Sequence, residues 1–212
     1  MAFGQNDDYS IRTQGLAQAK ASELDVGLRQ YMLRVYNYMA SGLVLTGIFA
    51  YGGVKIPALL NLMYVAGPGG ALQPTMFAWI IMLAPLAFIL GLSFGIQRMK
   101  ASTAQAMFWA FAAIMGLSLT HIFLVYTGTS ITRVFFITAG TFASMSLYGY
   151  TTKRDLSKFG SFLFMGLIGI IIASVVNIFM QSSAMAFVIS VVGVLVFVGL
   201  TAHDTQNIKR MY

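Results

Sequence analysis

The sequence predicts an all-α, polytopic helical bundle of the membrane, and three observations predict it. Charged residues make up 9% of the 212-residue chain and hydrophobic residues 58%, whereas soluble domains carry about 25% charged residues. The mean hydropathy is +0.78. The apolar residues also fall in six runs, each long enough as a helix to cross a hydrocarbon core of about 30 Å, which takes about 20 residues. Too little polar surface remains to cover a water-soluble globule.

Taken in order, residues 1–34 are polar and read as a cytoplasmic N-terminal segment, and residues 35–212 as the transmembrane bundle. No short apolar core precedes a small-residue cleavage site, so no cleaved signal peptide is expected. Ser22 and Asp25 fit a capping box. Leu24, Leu28, Met32 and Val35 share a helical face, so residues 22–36 predict a short interfacial helix feeding the first span, or a helix that simply continues it. The six spans are Val35–Val54, Met76–Leu92, Ala104–Tyr126, Ile131–Tyr150, Phe159–Met180 and Ala184–Ala202. The longest connection, 55–75, carries "GPGG" at 67–70, a turn signal. The last two spans are split only by "QSS", which predicts a tight hairpin. The sixth is apolar almost all round, so it belongs inside protein or against lipid on every side.

Of 13 Lys and Arg residues, all but Lys55 and Arg133 fall on one side if six spans alternate. The positive-inside bias then puts both termini in the cytoplasm. The excess of positive charge is therefore a topology signal, and no nucleic-acid partner is expected; the expected partner is the bilayer. There is no cysteine, and His121 and His203 are the only histidines. That supply is too sparse for a thiolate site, a closed metal cage or a hydrolytic triad, so neither an enzyme nor a resident cofactor is expected.

Small residues recur at helical spacing: Ala112, Gly116 and Thr120; Ala139 and Ala143; Gly140 and Ser144; Gly169 and Ala173. Such rows let helix backbones approach closely. Ionisable or strongly polar groups within spans are costly and invite a functional reading. His121 reads as a hydrogen-bonded interface residue or as a proton-linked group. Asn177 reads as an interhelical hydrogen-bonding residue or a supporting polar one. Arg133 begins the fourth span and can snorkel. Asp204 lies at the cytoplasmic end of the sixth span, where an acid opposes the helix macrodipole and is not there for capping. It shares a face with Asn207, Ile208 and Met211, so the helix is expected to continue past the acid. Composition leaves a solvated helix end and a functional carboxylate both open.

Two stretches go further. "YGYTTKRDLSKFGSFLFMGLIGIIIASVVNIF" (148–179) and "VGVLVFVGLTAHDTQNIKRMY" (192–212) together resemble the Bax inhibitor-1 family of membrane proteins, in its bacterial branch. "RVYNYMASGLVLTGIFAYG" (34–52) agrees more loosely. The resemblance spans roughly residues 28–212 and implies a bacterial inner-membrane protein with a central, apolar sixth helix. It also implies a pH-sensitive passive leak of calcium or another cation, gated by an acid after the sixth span that shares a proton with an acid in a seventh. By motif position Asp204 is the first of that pair. His203 stands where the family commonly has Tyr, and so places a second titratable group beside the acid. Arg98, with Lys100, is what remains of the family's basic cluster after the second span; with Asn177, His121 and Asn207 it is a candidate supporting residue. The family's seventh span is missing from these 212 residues, so the chain is expected to be shorter than its relatives by one apolar helix. The resemblance also implies an alternative: animal relatives suppress cell death at the endoplasmic reticulum, and a bacterial relative interacts with a membrane-bound AAA protease. On that reading the chain is a non-transporting regulator bound by such a partner.

Overall fold

A computed structural model describes residues 5–67 and 70–212, and the backbone only over residues 5–25. The elements run α1 (Gln5–Lys55), α2 (Pro57–Met63), β1 (Tyr64–Ala66), β2 (Leu72–Pro74), α3 (Met76–Gly95), a helical turn at Ile96–Arg98, α4 (Ala101–Ser118), α5 (Thr120–Val125), α6 (Gly128–Thr151), α7 (Ser157–Met180) and α8 (Ser183–Arg210). The fold is an all-α membrane bundle with one small hairpin added. Five of the six predicted spans lie wholly in helix, and the third is helical on either side of one break. Met76–Arg98, Ala101–Val125, Ser157–Met180 and Ser183–Arg210 are long and apolar enough to cross a membrane, and Val26–Lys55 with Pro57–Met63 forms a fifth candidate bent by 85°. The 24 residues of α6 are long enough to cross, but its start is rich in Gly, Thr and Ser around Arg133, and it is not among the four.

Residues 22–36 do not begin a helix. They lie inside the 51-residue α1, which runs through them without a break; the side chains of Ser22 and Leu24 fall outside the described residues.

The chain forms two compact units, Arg34–Val134 and Met1–Leu33 with Phe135–Tyr212. In the first, Pro57 ends α1. It has no N–H to donate and holds Ile56 extended (φ −93°, ψ 106°), the conformation favoured before proline. Residues 55–75, read as a loop, contain α2 and an antiparallel hairpin that pairs Tyr64 with Pro74 and Ala66 with Leu72. Gly70 (φ 79°) supplies the left-handed turn residue. Thr75 starts α3, its hydroxyl accepting from Ala78 N–H at 3.2 Å and donating to Leu62 O at 2.8 Å. Met63, Tyr64 and Ala78 form a small buried core. The row Ala112–Gly116–Thr120 packs on α1: Thr46 Oγ1 donates to Ala112 O at 2.9 Å, Gly116 faces the Thr46 carbonyl and Phe49, and Thr120 faces Gly53. The third predicted span is broken at Leu119, between α4 and α5.

In the second unit α8 packs between α7 and the end of α6. The antiparallel α7–α8 contact alternates small against large: Gly166 meets Val196, Leu163 meets Gly199, and Gly160 meets His203. Opposite Gly149 of α6 sits Ala202, and Thr205 Oγ1 donates to Ser146 Oγ at 3.4 Å. The rows at Gly140 and Gly169 face open space rather than another helix.

Few large side chains are buried. Phe94 and Phe179 are each 84% exposed, and the apolar sides of α3, α6, α7 and α8 are similarly uncovered. In water such continuous apolar surface would drive association. Lipid tails are the solvent that makes it stable, and the bilayer is therefore a partner of this fold.

Candidate functional site

The residues around Asp204 sit at the end of α8 that meets the α6–α7 loop. Three residues with different surroundings lie close together there. His203 points to α7, where the missing side chain of Gly160 makes room for its ring. Its side chain is 17% exposed, against 67% for Asp204, and its Nδ1 lies 3.1 Å from Asp204 Oδ1. Neighbours in sequence do not normally face each other on a helix; here the two side chains meet at the edge of the α7–α8 contact. Asn207 Nδ2 is 3.4 Å from His203 Nδ1 and 3.3 Å from Nε2. Near-equal distances to both ring nitrogens put the amide over the ring rather than in its plane. Asp204, His203 and Asn207 thus form one cluster on the last turns of α8. As expected, α8 continues past the acid, to Arg210.

The opposite face of the same turns holds what sequence reasoning missed. Gln206 is 7% exposed. Its Nε2 donates to Arg154 O at 2.8 Å, and its Oε1 accepts from Leu156 N–H at 2.9 Å and from Arg210 Nη2 at 3.1 Å. A single amide thereby satisfies both a donor and an acceptor of the loop backbone, which otherwise have no helix to bond to. One turn on, Lys209 Nζ donates to Tyr150 O at 2.8 Å, near the C-terminus of α6, and lies 4.9 Å from the Tyr150 ring centroid. A cation there complements the helix dipole. Arg210 donates to Asp155 Oδ1 at 2.6 Å and to Ser157 Oγ. The two stretches that carry the family resemblance are therefore bonded to each other. The signal was present in the sequence: Ala202, Thr205, Gln206 and Lys209 recur at helical spacing, and the first three are buried, whereas Met211 on the Asp204 face is 76% exposed.

The Arg210 guanidinium holds the Asp155 carboxyl well below the usual carboxylate range, helped by the N–H and hydroxyl of Ser157. A depressed folded-state pKa contributes stability above the unfolded carboxyl range and loses it as pH falls below about 4. Asp155→Asn is expected to flatten that acid limb. Thermal midpoints recorded at low salt from about pH 7 down to about pH 3 check it. Because the pair is largely exposed, its contribution near neutral pH is small.

The other predicted supporting residues lie elsewhere. Asn177 does not bond between helices: its Oδ1 accepts from Ser182 N–H at 3.1 Å and closes the α7–α8 turn, where Gln181 is left-handed (φ 48°). Twenty-odd helical residues of α8, roughly 30 Å, separate that turn from Asp204. His121 (in α5) and Arg98 are exposed residues of the other unit. Among the described residues no three His, Asp or Glu side chains converge on a point that could hold a metal.

The family described as "Inhibitor of apoptosis-promoting Bax1" matches residues 28–212. The chain belongs to the Bax inhibitor-1 family. Among its relatives, an uncharacterized Rickettsia prowazekii protein is 50% identical over 194 residues, covering 92% of this chain and 78% of the relative. The Escherichia coli inner membrane protein YbhL is 42% identical over 204 residues, 96% of this chain and 82% of YbhL. An uncharacterized membrane protein of Streptococcus pyogenes is 35% identical over 193 residues, 90% of this chain and 80% of that one. With its long apolar helices, this Bax inhibitor-1 family member is a multi-pass inner-membrane protein.

Proposed function

We propose that this Bax inhibitor-1 family member is a passive, pH-sensitive calcium or cation leak, and that the His203–Asp204 pair is its pH-responsive group. The observation that carries the reading is the 3.1 Å contact between the two side chains at the end of an otherwise apolar helix. Histidine is the side chain whose charge changes between about pH 5 and 8. Protonated, it forms an ion pair with the carboxylate; neutral, it leaves the carboxylate's charge uncompensated. The other acid with a described side chain in this unit, Asp155, is engaged by Arg210. A pair of carboxylates sharing a proton is therefore not available from the described residues, and the histidine is the ionisable group that stands beside Asp204. Calcium enters as cargo.

The test is calcium entry into dye-loaded vesicles at about pH 6 and about pH 8. The chain is expected to leak above empty vesicles, and His203→Tyr, which removes the imidazole beside Asp204, is expected to change the pH dependence while leaving the leak in place. Flux equal to empty vesicles at both pH values would leave the regulatory reading, in which a membrane protease or another partner binds the bundle.

A further inference from the structure

Beside the Gln206 network lies a groove of about 380 Å³, whose described lining residues all belong to one unit. We propose that it binds a phosphate group with an apolar neighbour, the chemistry of an anionic phospholipid headgroup. Among the described residues Lys153, Arg154, Lys209 and Arg210 line it, and Asp155 is the one acid. Four cations against one carboxylate leave a site that repels metal cations and attracts an anion. The four are not equivalent. Lys209 is fixed on Tyr150 O and Arg210 on Asp155, so two charges are preorganised and keep donors to spare. The side chains of Lys153 and Arg154 make no hydrogen bond among the described residues and are exposed, free to close on a ligand. Leu28 and Tyr212 add an apolar wall, and the Tyr212 ring is steadied by Tyr31 at 5.6 Å between centroids.

Position favours a lipid over a soluble anion. The groove lies at the ends of α6 and α8, whose flanks are apolar and exposed. A phosphate held there sits at headgroup level, with acyl chains running down Val194 and Leu195 of α8. Basic residues at this level strengthen binding to anionic lipid several-fold each. The proposal is independent of the leak reading.

The experiment is native mass spectrometry of the detergent-purified chain mixed with phosphatidylglycerol or phosphatidylcholine. Retained phosphatidylglycerol is expected to exceed phosphatidylcholine by about tenfold. Lys153→Gln with Arg154→Gln is expected to remove most of that preference. Lys100→Gln with Lys158→Gln, the same loss of charge outside the groove, is expected to keep it. Inorganic phosphate is added as a competitor: displacement of the lipid supports the phosphate site with a soluble source, and no displacement supports it with the lipid as source. Equal retention of the two lipids by the parent chain overturns the proposal, whatever the variants do. So does an equal loss in both double variants, which would mean diffuse charge rather than a site.

Discussion

Gly149→Ala is expected to push α6 away from α8, and Gly140→Ala, on the same helix, is expected to do nothing harmful. A Cβ at Gly149 would meet the Ala202 carbonyl oxygen and stand 3.0 Å from its carbonyl carbon and Cα. These are backbone atoms of a helix and cannot swing aside. Crowding of this kind costs about 1–3 kcal/mol, and more where the backbone must move. At Gly140 nothing lies within 4 Å, so alanine there gains the usual 0.5–1 kcal/mol or so over glycine in a helix. The two variants are therefore expected to differ by about 2–4 kcal/mol in unfolding titrations in micelles. Gly149→Ala is also expected to break the 3.4 Å contact between Ser146 and Thr205, the residue that follows Asp204. Equal stability of the two variants would mean that α6 and α8 do not touch at Gly149.

Gln206→Ala is expected to release the α6–α7 loop. Among the described residues its side chain is the sole partner for Leu156 N–H and Arg154 O outside regular helix, in two part-buried hydrogen bonds, and each such bond contributes about 0.5–1.5 kcal/mol. Local opening then becomes easier by about 2 kcal/mol, or roughly thirtyfold. The loop carries its own reporter, since Lys153 and Arg154 are trypsin sites. Limited proteolysis there is expected to accelerate by that factor. Gln206→Glu keeps the acceptor for Leu156 N–H and Arg210 but cannot donate to Arg154 O, so it is expected to fall between. An unchanged cleavage rate in Gln206→Ala would mean that the loop is held by Lys209 and Arg210 alone.

The contrast between these residues and the ones read from sequence has a physical basis. Apolar runs of about 20 residues announce helices in lipid, because every backbone group must be satisfied within the segment; hence all six runs are helical. The hairpin of Tyr64–Ala66 and Leu72–Pro74 is too short to register as a strand pattern, although "GPGG" marked its turn. The break at Leu119 carries no Pro or Gly at the break itself. Small-residue rows identify surfaces that can pack, not surfaces that do: Gly116 meets a neighbour, and Gly140 and Gly169 do not. Asp204 stands out in the sequence as a charge beside a greasy helix, yet its turn is anchored by the uncharged amide of Gln206. Burial, not formal charge, makes Gln206 consequential, and burial is read from which face repeats at 202, 205, 206 and 209.

The pH response itself is tested most directly by the ratio of calcium flux at about pH 6 to that at about pH 8, measured for the parent chain and Asp204→Asn in one vesicle preparation. Asparagine keeps the size and a hydrogen-bonding oxygen beside His203 and removes only the charge. The expected result is a parent ratio clearly different from one and a ratio close to one for Asp204→Asn, with Asp204→Ala behaving alike. A parent-like ratio in both variants would contradict it and place the pH-sensing group elsewhere in the bundle.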